Sequence, residues 1–204
     1  MKLDHRPSMI ILLLMLGLAL AMPGGAAAQC DCVSGNIGAA PNTGDPALGT
    51  WKYTIDLCWS SARGLSHWDL WIEDLTNCTC TDLQSAIVFG SEIGTTTSED
   101  GCVTHYSREW RCSGEPSIDV PGILIKFEPA SGCEPGHSGT GVFYFYSNLT
   151  PTPISTENPP YGFVINKNGN GFCNGSLSGV FPGIPCDPVP MQDGSWGAVK
   201  ANYR

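Results

Sequence analysis

The sequence predicts an all-β fold, an antiparallel β-sandwich of the Ig-like or jelly-roll-like kind that is stapled by disulfides. Apolar and polar residues alternate strictly along Trp51–Ser60, which is the period of a half-buried strand. Glycine and proline are abundant, with 25 and 16 residues, whereas charged residues make up only 14% of the chain. Together with ten cysteines, this composition predicts short strands that are joined by turns and cross-linked.

The chain begins with charged residues, an apolar run over Met9–Met22 and the small residues Ala26–Ala28. This order predicts a secretory signal peptide over residues 1–28. The apolar run is too short to span a bilayer and no later run approaches that length, so we expect no membrane span in the mature chain. The predicted localisation is therefore secreted, or more broadly extracytoplasmic.

One folded domain is predicted after this leader. Residues 29–49 are rich in Gly, Pro, Ala and Asn and predict an irregular N-terminal arm. Residues 50–186 hold the alternating runs and predict the β-sandwich domain, which is long enough to bury a sizeable core. Residues 187–204 predict a C-terminal tail.

The first predicted strands form a central hairpin over Trp51–Asp74, where two alternating runs flank a short turn. Gly90–Pro121 carries many turn signals and predicts a long irregular loop. Gly122–Pro129 predicts a strand with one apolar face, and Val142–Tyr146 is apolar on both faces, which is typical of a central strand. The Asn- and Gly-rich segment Asn166–Gly171 predicts a second hairpin turn.

All ten cysteines follow the predicted leader, and an even number in a secreted chain predicts a disulfide framework. Their pairing does not follow from the sequence, although Cys102–Cys112 would close a local loop and Cys133–Cys173 would join two later strands. Two C-x-C pairs leave a zinc site as the alternative, but structural zinc prefers about two to four residues between paired ligands. The candidates for disulfides are Cys30, Cys32, Cys58, Cys78, Cys80, Cys102, Cys112, Cys133, Cys173 and Cys186.

Several segments together resemble uncharacterised secreted bacterial β-sandwich domains. They are a Trp/Tyr-Thr strand, Gly64–Trp68, a cysteine loop, Pro121–Glu128 and the aromatic strand Val142–Tyr146. The resemblance extends over roughly Thr50–Cys186. It implies a bacterial, non-catalytic extracellular module of unknown ligand, and it implies no functional residues.

The predicted binding residues are His67, Asp69 and Trp71, which share the polar face of the second predicted strand, opposite Trp68 and Leu70. Neighbouring His and Asp side chains are able to act as acid and base or to bind a metal, whereas the plainer interpretation is a solvated strand face. Aromatic rings stack on sugars, and the chain has more of them than one small core needs; the alternative is that they fill the core. The aromatic residues in question are Trp59, Trp68, Trp71, Trp110, Tyr144 and Tyr146.

The glycine-rich segment around Ser138 resembles the nucleophile segment of a serine hydrolase. A nucleophile elbow needs glycine where Thr140 stands, so that motif fails. A secreted hydrolase that uses Ser138 with His67 or His105 and Asp119 is the alternative function, because triads are recognised by geometry.

The net charge of −9 opposes contact with phosphate backbones, so no nucleic-acid partner is expected. No cofactor is predicted. Calcium is left open because loop Asp and Asn oxygens are its usual ligands, although Asn166–Gly171 lacks carboxylates. We therefore expect a secreted, non-catalytic module that binds carbohydrate or another surface protein, or that has a structural role.

Overall fold

The computed structural model describes residues 30, 32–72, 78–154, 163–169 and 171–185. The predicted signal peptide and C-terminal tail lie outside these described residues. The structure is 58% strand and 7% helix, so the all-β prediction is confirmed. Within the described part of the chain, no helix has the length and apolar character needed to cross a membrane.

Ten strands and one α-helix are described, together with a short 3-10 turn at Pro46–Leu48. The helix, α1, begins with a capping box in which Thr79 and Asp82 satisfy each other's backbone N–H groups. The elements are β1 (Cys32–Pro41), β2 (Trp51–Ser60), β3 (His67–Trp71), α1 (Cys80–Ala86), β4 (Gly94–Ser98), β5 (Val103–Arg111), β6 (Leu124–Gly132), β7 (Ser138–Ser147), β8 (Pro151–Pro153), β9 (Phe163–Asn168) and β10 (Gly171–Pro182).

Nine of the ten described strands form one closed barrel, in the order β1-β2-β7-β4-β5-β6-β3-β9-β10, with β10 returning to β1. All neighbours in this ring are antiparallel except β1 and β10, which are parallel. A closed ring with an odd number of strands cannot alternate direction all the way round, so a parallel contact has to occur. The predicted antiparallel β-sandwich is therefore wrong, and the fold is a mixed barrel.

The alternating pattern could not distinguish these two folds, because strands of sandwiches and of barrels both alternate between an inner and an outer face. The strand that closes the barrel, β1, occupies residues where composition predicted an irregular arm. Only Val33 and Ile37 of this strand are buried. Two apolar residues four positions apart do not produce the period-2 signal by which a strand is recognised.

The predicted central hairpin is also absent. Strand β2 pairs with β1 and β7, whereas β3 pairs with β6 and β9. Strands β4 and β5 both lie wholly within Gly90–Pro121, where the turn signals predict a loop. Their strand character is not evident from the sequence because Thr, Ser and charged residues dominate both segments. The second predicted hairpin is confirmed, since β9 and β10 pair across Gly169.

The parallel contact between β1 and β10, which we call the seam, depends on two glycines of β10. A Cβ atom on Gly175 would collide with the carbonyl oxygen of Val33, and one on Gly179 with the carbonyl oxygen of Ile37. The two backbones approach each other this closely because neither glycine has a side chain.

Large side chains fill the barrel interior. Tyr53 stacks on Phe145 with 4.7 Å between ring centroids, and Trp68 stacks on Phe127 with 4.1 Å. Trp59 is 1% exposed and belongs to the same hydrophobic core. Each such side chain contributes roughly 1.5–3 kcal/mol when it is fully buried, so the interior is the main source of stability.

Four disulfides have both partners among the described residues: Cys30–Cys58, Cys32–Cys173, Cys80–Cys112 and Cys102–Cys133. Cys78 is also disulfide-bonded, and no described cysteine is free. The predicted pairs Cys102–Cys112 and Cys133–Cys173 are wrong, because residues distant in sequence become neighbours around the barrel. The described C-x-C cysteines are used in disulfides rather than as metal ligands. Four disulfides indicate that the chain folds in an oxidising compartment.

Candidate functional site

The predicted binding residues lie on the outer wall of the barrel, on strand β3. Trp68 and Leu70 point inward and are 0% and 1% exposed, so the alternating residues His67, Asp69 and Trp71 point outward. The Nε2 atom of His67 lies 3.4 Å from Oδ2 of Asp69. This part of the wall is not a solvated face, because His67 and Asp69 are both buried.

The outer wall is covered there by residues 113–123, a segment we call the strap. Its backbone folds back on itself through a hydrogen bond from the N–H of Glu115 to the carbonyl of Val120, 2.8 Å long. The strap residues Ile118 and Val120 pack with two outward apolar residues of the wall, Leu124 and Ile165. They form a second, smaller hydrophobic cluster outside the barrel.

Trp71 lies at the edge of this second cluster and is half-buried. Its indole Nε1 donates a hydrogen bond of 2.9 Å to the carbonyl oxygen of Pro121 in the strap. The Trp71 ring therefore helps to hold the strap against the barrel, and only part of its surface faces solvent.

Charged side chains surround Asp69 beneath the strap. Lys126 is its direct cross-strand neighbour, and Nζ of Lys126 lies 2.7 Å from Glu128 and 3.4 Å from Glu115. Arg111 lies 3.6 Å from the same oxygen of Glu115. Glu115 therefore joins the strap to two cations of the barrel wall, and it is itself only 3% exposed.

The pKa values of the two buried carboxyls in this cluster, Asp69 and Glu115, are shifted in opposite directions. Burial raises the pKa of Asp69, an effect that His67 only partly offsets. Burial would also raise the pKa of Glu115, but hydrogen bonding by Ser117 and the charge of Lys126 outweigh it and lower that pKa to about 2. Asp69 is 0% exposed beneath the strap, and the ion pairs of Glu115 with Arg111 and Lys126 attach the strap to the barrel wall beside it.

The residues of the predicted hydrolase alternative have separate partners. The hydroxyl of Ser138 donates to Oε2 of Glu99 at 3.0 Å, and the backbone N–H of Ser138 donates to the same oxygen at 2.7 Å. Backbone hydrogen bonds, including this one, lower the pKa of Glu99. His67 contacts Asp69, while His105 and Asp119 are exposed on β5 and on the strap. No hydrogen bond joins Ser138 to a histidine within the described part of the chain.

A metal site is not evident in the described ranges, where no three His, Cys, Asp or Glu side chains lie close enough together to hold an ion.

A different surface retains accessible aromatic rings. We call it the tyrosine face; it lies on the outer side of β2 and β7, across the barrel from β3 in the order of the ring. Tyr144 lies opposite Thr54 and Tyr146 opposite Lys52 in the strand register. Both tyrosines are half-buried, whereas the intervening Phe145 points into the barrel. The face consists of Lys52, Thr54, Asp56, Glu92, Tyr144 and Tyr146.

Charges surround the ring of Tyr144 on this face. Nζ of Lys52 lies 3.9 Å from the ring centroid, a cation–π contact. Burial raises the pKa of Tyr144, and the negative charges of Glu92 and Asp56 raise it further. The hydroxyl group therefore stays protonated and is available as a hydrogen-bond donor and acceptor.

The aromatic excess in the sequence is thus divided between two roles. Trp59 and Trp68 fill the interior, and Trp110 packs against it, as the core interpretation predicts. The sequence does not show which side of Val142–Tyr146 faces solvent, because this segment has aromatic residues on both sides. The available signal was the alternation of Phe and Tyr, since a tyrosine hydroxyl favours the side that reaches water.

Comparison with protein-family models, with curated proteins and with solved structures found no match for this chain.

Proposed function

We propose that this chain is a secreted, non-catalytic module that binds carbohydrate through the tyrosine face. The observation that carries the proposal is the pair of half-buried tyrosines on the outer side of β7. Two such residues are separated by about 7 Å along a strand, a spacing suited to neighbouring sugar rings. Strand β7 pairs with β2 on one side, and on the other side the backbone N–H groups of Tyr144 and Tyr146 donate to the carbonyls of Ile93 and Val88, which fixes the positions of the rings before a ligand arrives.

Polar groups beside the two rings supply the directional part of recognition. Thr54 and Asp56 flank Tyr144 on the neighbouring strand. Sugars present hydroxyl groups at the rim of an apolar ring face, so an aromatic platform bordered by donors and acceptors matches them. Secretion by means of the signal peptide over residues 1–28, and a bacterial source, belong to the same proposal.

The test is depletion of the oxidised protein from solution by a panel of insoluble polysaccharides. The full chain is expressed with its own leader into an oxidising compartment, and bound protein and released sugar are measured together. Depletion without sugar release is the expected result. Release of sugar would overturn the non-catalytic part of the proposal. Retention in solution with every polysaccharide would overturn carbohydrate binding and favour a surface protein as the partner.

Two variants locate the surface. Tyr144→Ala should reduce depletion by about tenfold, since loss of a stacked ring removes on the order of 1–2 kcal/mol of binding free energy. Trp71→Ala is the matched control, because it removes another half-buried aromatic ring on the opposite side of the barrel. If Trp71→Ala weakens binding and Tyr144→Ala does not, the binding surface lies on β3 instead.

A further inference from the structure

We propose that the tyrosine face selects glycans whose sugars carry free amino groups, a specificity that rests on the carbohydrate-binding function proposed above. The ring of Tyr144 already holds an ammonium group, that of the protein's own Lys52, at 3.9 Å. An aromatic face that accepts one ammonium provides the same attraction to an ammonium on a ligand.

Two carboxylates make this position favourable for a positive charge. Asp56 lies on β2 beyond Thr54, the residue opposite Tyr144, and it is exposed. Glu92 is also exposed and adjoins Ile93, whose carbonyl accepts the backbone N–H of Tyr144 at 2.9 Å. Among the described residues, neither carboxylate has an ion-pair partner. After the larger effect of burial, the negative charges of Glu92 and Asp56 raise the pKa of the Tyr144 hydroxyl further.

The charges of the face discriminate between classes of sugar. The two carboxylates outnumber the single ammonium of Lys52, and the whole chain carries a net charge of −9, so an anionic glycan is repelled. A neutral glycan gains stacking alone. A sugar ammonium gains stacking and the attraction of Asp56 and Glu92 as well. The flexible stem of Lys52 allows its own ammonium to move into water when the ligand takes its position.

The test compares three soluble oligosaccharides of equal length by calorimetry: a glucosamine oligomer, its fully N-acetylated counterpart and a neutral glucose oligomer. Measurement at mildly acidic pH keeps the amines protonated. The glucosamine oligomer should bind about tenfold more tightly than the other two. Equal affinity for all three would overturn the amine specificity while leaving carbohydrate binding intact. Absence of binding by all three would also overturn the amine specificity, and the polysaccharide panel described above would then decide whether the proposed function itself fails.

Variants separate local recognition from general attraction between opposite charges. Glu92→Gln should reduce the preference for the glucosamine oligomer by about threefold. The matched control is Glu134→Gln, which removes one exposed carboxylate in the loop before β7; Ser138, where β7 begins, is itself roughly 20 Å along the strand from Tyr144. An equal loss in both variants would overturn the proposal, because it would assign the preference to net charge.

A gain of affinity gives an independent check. Lys52→Met keeps the apolar stem but removes the ammonium that occupies the ring, so the glucosamine oligomer should bind several-fold more tightly. A loss of affinity in Lys52→Met would mean that Lys52 contacts the ligand directly, and would overturn the exchange of ammonium groups proposed here. Near-UV circular dichroism of each variant confirms that the fold is unchanged.

Discussion

At the scale of single residues, burial is the largest single influence on the pKa values of the two carboxyls beneath the strap, Asp69 and Glu115. Asp69 is 0% exposed, and the contact with His67, 3.4 Å long, only partly offsets this burial, so the charged form of Asp69 is disfavoured. Glu115 has two cations and the hydrogen bonds of Ser117, so its charged form is favoured. The same short region thus holds one carboxyl that resists ionisation and one that resists protonation.

Replacement of Asp69 by Asn should make the stability less sensitive to pH. The folded-state pKa of Asp69 is raised above its ordinary value of 3.8, so its contribution to stability is fully present below pH 3.8. That contribution is lost as pH rises through the raised pKa, because ionisation then leaves a buried charge. Relative to the native chain, Asp69→Asn should therefore gain stability with rising pH. Urea unfolding across the acid range measures this difference; a difference that does not change with pH would contradict it.

Replacement of Glu115 by Gln should weaken the attachment of the strap. The folded-state pKa of about 2 lies below the ordinary 4.5, so the stabilising effect is present above pH 4.5 and is lost as pH falls toward 2. The expected loss at neutral pH is on the order of 3 kcal/mol in free energy of unfolding. Chemical denaturation at pH 7 and near pH 2.5 measures it, and the two proteins should converge at the lower pH.

Glu109→Gln is the control for this change. Glu109 also pairs with Arg111, at 2.9 Å, but the Glu109 side chain is 48% exposed. An exposed ion pair contributes about 0–1 kcal/mol, so this variant should remain close to the native chain. Equal losses from Glu109→Gln and Glu115→Gln would show that burial beneath the strap is not the source of the effect.

At the scale of strands, the sequence predicts elements well where one face is strongly apolar. Strands β2, β6 and β7 and the β9–β10 hairpin carry such patterns and were recognised. Strands β1, β4 and β5 have too few apolar residues to show a period, and their pairing depends on neighbours that are distant in the sequence. The sequence of β3 predicts that one of its faces is polar. It does not predict that the strap covers this face, because the strap is distant from β3 in the sequence.

The seam is the element that a single substitution should damage most. Gly175→Ala places a methyl group against the backbone carbonyl of Val33, and backbone atoms of a parallel pair cannot move aside without loss of hydrogen bonds. We expect a loss of about 3 kcal/mol in free energy of unfolding. Thermal and urea unfolding of the variant measure this loss.

Gly38→Ala on β1 provides the comparison for this substitution. No atom lies within 4 Å of the position that a Cβ on Gly38 would take. Its stability should stay within about 0.5 kcal/mol of the native value. If Gly38→Ala were as damaging as Gly175→Ala, backbone flexibility rather than close contact at the seam would be responsible.

At the scale of the whole molecule, the disulfides supplement a core that already fills the barrel. Cys32–Cys173 joins β1 to β10, with a sequence separation of 141 residues, whereas Cys80–Cys112 has a separation of 32. In the chain-entropy description, the longer loop restricts the unfolded chain more. The disulfide at the seam is therefore expected to contribute the most among the four described pairs.

Paired Cys→Ser variants test this ranking. Removing Cys32 and Cys173 should lower the free energy of unfolding by about 4–5 kcal/mol, about 1 kcal/mol more than removing Cys80 and Cys112. Guanidinium unfolding of the two double variants gives the comparison. A larger loss for the Cys80/Cys112 pair would contradict the entropic ranking.

The seam also constrains the order of events during synthesis. Strands β1 and β10 are the first and last strands of the described chain. The barrel therefore cannot close until the β9–β10 hairpin has been synthesised. Until then β1 presents an unpaired edge, and Cys32 has no native partner while Cys30 and Cys58 are already available to it. Thiol–disulfide exchange is required to correct any premature pairing. The yield of native protein should therefore depend on a disulfide isomerase that acts after translation of Cys173.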